Sequence, residues 1–261
     1  MAEIAIPDFR LDGRTVFISG AAGHLGRAIA AAFSEAGANL ILNGRDEARL
    51  KTFAKDLRVA ECAAFDVADF DAVKTFFARR DRIDVIVNNA ISMTPKPRDQ
   101  LGWQDFEQTY RSSVTAAFEI TRAALPALRN AVKGEGEASI INIASMYGAV
   151  APDARIYAKP EQASPFHYGP AKAALIQLTR HLAAELGPER IRVNALVPGP
   201  FPQPSVQAND PQFAQRLAAK TMLGRLGHAP EIAGPALFLA STASSYVTGS
   251  ALAVDGGWTA W

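Results

Sequence analysis

The stretch Thr15-Val-Phe-Ile-Ser-Gly-Ala-Ala-Gly-His-Leu-Gly26 runs a short apolar strand into a glycine-rich turn, and a helical pattern from His24 to Ala36 follows at once. Glycines in that position allow a tight turn, close approach of backbone to a pyrophosphate, and tight packing of helix on strand. The helix N-terminus then offers free N–H groups and a favourable dipole to phosphate. Gly20, Gly23, His24, Leu25 and Gly26 are therefore candidate cofactor contacts. Any tight turn favours glycine for steric reasons, but a place between the first strand and the first helix favours binding.

Working outward, short apolar runs alternate with longer helical periods. The strands are expected at Thr15–Ser19, Asn39–Asn43, Val59–Phe65, Asp84–Asn88, Ser139–Ala144, Arg192–Val197 and Ala251–Val254. The helices are expected at His24–Ala36, Glu47–Leu57, Asp69–Ala78, Trp103–Arg129, Tyr168–Leu186 and Pro230–Ala240. Nearly continuous apolar strands belong to parallel sheets covered on both faces, and strand–helix alternation implies right-handed crossovers. The expected fold is α/β: one doubly wound Rossmann-type domain over residues 1–261, with a mostly parallel seven-stranded sheet and helices on both faces. Two proline-rich stretches, Val150–His167 and Pro198–Asp210, read as long irregular loops.

Composition narrows the function classes. With 27 Lys plus Arg against 26 Asp plus Glu, the net charge is +1. That leaves no electrostatic footprint for nucleic acid or an anionic membrane. One cysteine, Cys62, excludes an internal disulfide framework, and four histidines without ligand spacing argue against a metal site. No apolar stretch approaches the roughly 18 residues that span a bilayer. Glu3 and Pro7 do not suit a signal peptide. A soluble, cytoplasmic protein is expected.

In an open α/β sheet, ligands sit beyond the carboxyl ends of the strands. The second strand ends Leu42-Asn-Gly-Arg-Asp46. Where an NAD site would place a carboxylate, Gly44 offers none, and Arg45 offers a forked cation suited to a 2′-phosphate. The competing reading leaves Arg45 solvated and makes Asp46 a helix cap. After the third strand, Asp66 and Val67 are candidates for the adenine side, and Asp69 for the next helix cap. After the fourth, Asn88, Asn89 and Ala90 suit loop bracing and the ribose. Tyr168 and Lys172 lie four apart on one helix face, where a cation stabilises a phenolate and donates to ribose hydroxyls. Ser145, at the end of the preceding strand, brings a hydroxyl toward the same cleft.

Taken together, the chain resembles the short-chain dehydrogenase/reductase family nearly end to end. The resemblance is carried by Ser19-Gly20-x3-His24-x-Gly26, Asn88-Asn89-Ala90, Ile141-Asn-Ile-Ala-Ser145, Tyr168-x3-Lys172, Ile191-Arg-Val-Asn-Ala195 with Pro198-Gly199, and Val254-Asp-Gly-Gly-Trp258. It implies hydride transfer between a nicotinamide and a carbonyl or secondary alcohol. Tyr168 would be the acid or base, Ser145 would orient the substrate oxygen, and Lys172 would lower the Tyr168 pKa and hold ribose. Asn88 and Asn194 would be structural supports. Pro198, Gly199 and Phe201 would border the nicotinamide.

Three positions depart from the family pattern. His24 replaces a loop glycine, Ser113 stands where a catalytic asparagine is usual, and Gln203 stands where a threonine often meets the carboxamide. Ser113 is kept as a catalytic candidate, holding a relay water through its hydroxyl. The Ser145–Tyr168 spacing is 23, about ten longer than usual for the family. The added segment, with Asp153, Arg155, Tyr157, Lys159, Glu161 and His167, reads either as a contact to a polar substrate or as a surface loop. The leading expectation is an NADP(H)-dependent oxidoreductase, with NAD the alternative, acting on a small polar substrate such as a sugar, sugar acid, polyol or oxo-acid. A homo-oligomer, tetramer or dimer, is expected. The departures keep a second class in view, a catalytically impaired nucleotide-binding sensor or scaffold. A nucleotide-sugar epimerase fits less well, because the chain leaves no room for a C-terminal substrate domain.

Overall fold

The computed structural model describes residues 8–55, 57–94, 96–159 and 163–261; Glu3, Pro7 and Glu161 lie outside the described residues. Seven strands, β1 (Thr15–Ile18), β2 (Asn39–Gly44), β3 (Val59–Ala64), β4 (Val85–Asn88), β5 (Ala138–Ile143), β6 (Ile191–Pro198) and β7 (Ala251–Val254), form one sheet in the order β3-β2-β1-β4-β5-β6-β7. Every pairing is parallel. The chain winds outward from β1 in both directions, so the crevice where the order reverses lies between β1 and β4.

The side-chain period of two explains both layers. Val16 and Ile18 of β1 point to a core shared with α1 (His24–Glu35), α2 (Glu47–Ala54) and the later helix Ala233–Ala240. Phe17, between them, points to the opposite core, shared with α3 (Phe70–Phe77) and the helices Ala116–Glu135 and Tyr168–Leu186. Local chemistry sets the helix starts. Asp46 and Asp69 accept from the N–H groups of Arg49 and Ala72, capping α2 and α3.

Two expected segments differ. The single helix expected at Trp103–Arg129 is α4 (Trp103–Tyr110), a π turn (Arg111–Thr115) and α5 (Ala116–Glu135). Serine and threonine hydroxyls bonding back to carbonyls compete with the regular ladder there, and π turns form where it is interrupted. After α6 (Tyr168–Leu186), the stretch expected as a loop from Pro198 to Asp210 contains α7 (Pro204–Asn209) and leads into α8 (Pro211–Ala219). Its prolines start helices instead of breaking them: Pro204 and Pro211 occupy first-turn positions, and Asp210 caps α8 through the Phe213 N–H. The last helix is α9 (Ala233–Ala240).

Candidate active site

The carboxyl ends of β1 to β4 border an elongated cavity of about 420 Å³. Its floor is the glycine loop, fastened to the end of β4. Ser19 Oγ accepts from the N–H groups of Asn89 (3.0 Å) and Ala90 (3.1 Å), while Asn89 Nδ2 donates to the Ser19 and Gly20 carbonyls. Gly20 has φ +61°, and a Cβ there would stand 3.0 Å from Ala90 Cα. A Cβ on Gly26 would fall 2.4 Å from the Gly20 carbonyl oxygen. Gly26 thus lets α1 lie on the loop without lining the cavity itself. Gly20, Gly23, His24, Leu25, Arg45, Asp66, Val67, Asn89 and Ala90 all line it. Gly23 does not use its conformational freedom, having φ −77° as the α1 cap. The His24 imidazole is half-buried, its Nε2 has no hydrogen-bond partner, and burial lowers its pKa. A glycine cradle and a helix N-terminus on one wall fit a pyrophosphate.

At the far end stand two guanidiniums. Arg45 is largely exposed and lies 3.8 Å from Asp66. Arg49, which sequence reasoning missed, also lines the cavity and donates to the Ala22 carbonyl at 2.9 Å. Its signal was its place in the first turn of α2, where anion-binding groups gather. Asp46 is a helix cap, so that part of the competing reading holds too.

A smaller cleft of about 200 Å³ opens at the ends of β5 and β6 and shares Leu25, Asn89 and Ile91 with the cavity. Ser145, Tyr168, Lys172, Pro198, Gly199 and Phe201 line it. Lys172 is buried, its Nζ donating to the Ile143 carbonyl at 2.6 Å and lying 5.8 Å from the centre of the Tyr168 ring. Burial lowers the Lys172 ammonium to about 8. Burial raises the Tyr168 phenol, with the nearby Ser145 hydroxyl pulling the other way. As placed, the phenol is a protonated donor. Behind the cleft, Asn88 Nδ2 donates to Asn142, Asn142 to Thr179, and Asn194 Nδ2 to the Val247 carbonyl. Both Asn88 and Asn194 brace strands.

The family profile described as Enoyl-(Acyl carrier protein) reductase matches residues 20–259. The chain belongs to the short-chain dehydrogenase/reductase family. Among its relatives is a rhamnolipids biosynthesis 3-oxoacyl-[acyl-carrier-protein] reductase of Pseudomonas aeruginosa, 36% identical over 96% of this chain and 98% of that one. A galactitol 2-dehydrogenase (L-tagatose-forming) of Cereibacter sphaeroides is 37% identical over 97% and 98%. A crystal structure of a gluconate 5-dehydrogenase from Burkholderia cenocepacia J2315, in complex with NADP and tartrate, has a TM-score of 0.84. It is 31% identical, covering 98% of this chain and 99% of that one.

In this short-chain dehydrogenase/reductase, two site expectations need correction. Ser113 is buried in the π turn, lines neither the cavity nor the cleft, and donates to the Thr109 carbonyl at 2.7 Å. Its hydroxyl is satisfied by its own helix, leaving no donor for a relay water. The neighbouring Ser112 lines the cavity instead and accepts from the Ser92 N–H. Gln203 is exposed, outside the cleft lining, with its backbone capping α7. Asp153, Arg155 and Lys159 of the added segment do not line the cleft. Asp153 pairs with Arg155 and Lys220, the latter at 2.5 Å. His167 is fully buried, 3.0 Å from the Thr109 hydroxyl. The segment is a docked wall: Ile156 packs with Met146, Leu217 and Trp258, and Arg216 of α8 donates to the Ile156 carbonyl.

Proposed function

We propose that this enzyme is an NADP(H)-dependent oxidoreductase acting on a carbonyl or secondary alcohol of a small polar substrate, within the sugar, sugar-acid and polyol range. The carrying observation is the continuity of the two spaces. A cradle ending in Arg45 and Arg49 leads through Leu25, Asn89 and Ile91 to Ser145, Tyr168 and Lys172. When bound, the nicotinamide accepts or supplies the hydride. In this reading Tyr168 holds the proton that passes to or from the reacting oxygen, Ser145 orients that oxygen, and Lys172 would donate to the ribose hydroxyls. Two relatives support the reading: the gluconate 5-dehydrogenase is in complex with NADP, and the galactitol 2-dehydrogenase acts on a polyol. Against the sensor reading stands the grouping of Ser145, Tyr168 and Lys172 in one cleft.

Titration with both cofactors tests this, with a ketone and alcohol panel followed by nicotinamide absorbance. Charge-assisted bonds to a phosphate contribute up to about 3 kcal/mol, so Arg45→Ala should weaken NADP(H) binding about 10- to 100-fold and leave NAD(H) nearly untouched. Equal or tighter binding of NAD(H) by the wild type would refute the cofactor assignment.

Oligomerisation belongs to the same proposal. Trp103, Phe106 and Phe118 of α4 and α5, with Phe166 before α6, are exposed aromatic side chains on adjoining helices. A second copy of this chain is the occupant proposed for that face, in keeping with the aromatic anchors of protein interfaces. Sedimentation should show a dimer or tetramer that Phe118→Glu weakens; a wild-type monomer at micromolar concentration would contradict it. Among the described residues no helix is long and apolar enough to cross a membrane. A cytoplasmic location is proposed on the single free Cys62.

A further inference from the structure

Two residues after Ser145, Tyr147 carries a phenol that the reaction so far described does not use. Its backbone is fixed beside the reacting groups. The Tyr147 N–H donates to Ser145 Oγ at 3.2 Å, and its carbonyl oxygen lies 2.8 Å from where a Cβ on Gly169 would be, so only glycine after Tyr168 permits this approach. The Tyr147 hydroxyl is 2.9 Å from the hydroxyl of Tyr157, which the added segment supplies. Both rings are half-buried and held by aromatic neighbours. Tyr147 meets Trp258 edge-on at 6.4 Å, and Tyr157 lies 5.6 Å from Phe213 of α8.

Packing does not explain the two hydroxyls. Their rings pack on apolar neighbours, with Met146, Ile156, Leu217 and Trp258 as the buried members, and two phenylalanines would fill the same space; the Ser164 backbone also meets the Tyr157 hydroxyl. A pair of phenols shares one hydrogen bond, which leaves one O–H proton with no acceptor among the described residues. Burial holds both phenols in the protonated form, so that proton is present throughout the neutral range. Asp153 is paired with Arg155 and with Lys220 just after α8. Next to Ser145, just outside the residues that line the cleft, the pair is therefore a neutral hydrogen-bonding group on an aromatic wall.

We propose that the Tyr147–Tyr157 pair is a specificity-determining contact that hydrogen-bonds a second substrate oxygen next to the one held by Ser145 and Tyr168, which makes the substrate a vicinal diol or its hydroxyketone. This rests on the oxidoreductase reading above. The test compares cyclopentanol with cyclopentane-1,2-diol, a pair differing by one hydroxyl, with NADP⁺ as the co-substrate. The wild type should favour the diol about tenfold in kcat/KM, the discrimination that one well-placed hydrogen bond supplies. Tyr147→Phe and Tyr157→Phe should each lower diol kcat/KM about tenfold, mainly through KM, with a change under about threefold for cyclopentanol. An unchanged diol-to-alcohol ratio in both variants overturns the proposal, whatever their melting temperatures. If the wild type turns over neither alcohol, the oxidoreductase reading fails for this class. The pair is then judged on diol binding to the NADP⁺-loaded protein by ligand-observed NMR. Binding weakened at least about fivefold in Tyr147→Phe supports the contact; equal binding, or none by the wild type, overturns it.

Discussion

Tyr168→Phe is expected to lower turnover about 10²- to 10⁴-fold on any active carbonyl or alcohol while NADPH binding stays within a few-fold of wild type. The substitution removes one hydroxyl and keeps the ring that lies against Lys172. The glycine cradle, Arg45 and Arg49 are untouched, so cofactor affinity has no reason to move. The phenol is buried beside Ser145 and raised in pKa, so across neutral pH it carries the proton that carbonyl reduction consumes. Ser145 cannot replace it, because a serine hydroxyl is a far weaker acid and here accepts from the Tyr147 N–H. Steady-state rates with a parallel NADPH fluorescence titration decide the matter. A variant with near wild-type turnover and normal cofactor binding would show that the proton comes from elsewhere.

Lys172→Met should have a double signature, with activity falling and neutral-pH stability rising. The buried ammonium sits at about 8, against 10.5 for the ordinary side chain. Between those values the unfolded chain binds the proton and the folded chain does not, so wild-type stability rises with pH from about 8 to about 10.5. Below that window the folded protein carries a buried charge that costs up to about 3 kcal/mol. Methionine keeps most of the stem and removes the charge; the lost bond to the Ile143 carbonyl offsets about 1 kcal/mol. The variant should therefore be about 1–2 kcal/mol more stable than wild type at pH 7 and lose that advantage by about pH 10.5. NADPH should bind more weakly, and turnover should drop about 100-fold or more. Urea unfolding at both pH values checks the stability arm. Identical pH dependence in the two proteins would mean that Lys172 is not the buried titrating group.

Most of the sheet was legible because each strand carries its own signal. Val16, Phe17 and Ile18 alternate between two buried layers, and such continuous apolar runs occur where helices cover both faces. The glycine loop was legible for the same local reason, its spacing following from the turn and the helix packed on it. Where two local rules conflict, the sequence reads poorly. Pro204 and Pro211 are breakers in a loop or starters of a helix depending on what caps them, and Asp210 was the deciding neighbour. The serines near residue 112 illustrate a further ambiguity. Ser112 and Ser113 are adjacent and chemically identical, and both hydroxyls reach the Thr109 carbonyl, yet the π turn lets only Ser112 line the cavity and meet the Ser92 backbone.

By itself the sequence determined the strand and helix alternation, the glycine loop and the Ser145, Tyr168 and Lys172 constellation, since each depends on residues close in the chain or on motif spacing. Only the tertiary structure decided what the added segment does. Asp153 and Lys220 are 67 residues apart, and nothing in either neighbourhood says that they neutralise each other. Likewise Tyr157 reads as one polar residue among several until Ile156 docks against Leu217 and Trp258 and brings its hydroxyl to Tyr147. Arg49 reaches the cavity beside the glycine loop because α2 packs Leu50 into the core and turns its first turn toward that loop. Contacts between segments distant in the chain are set by which apolar surfaces bury one another. That is a property of the assembled layers, with no local sequence signature.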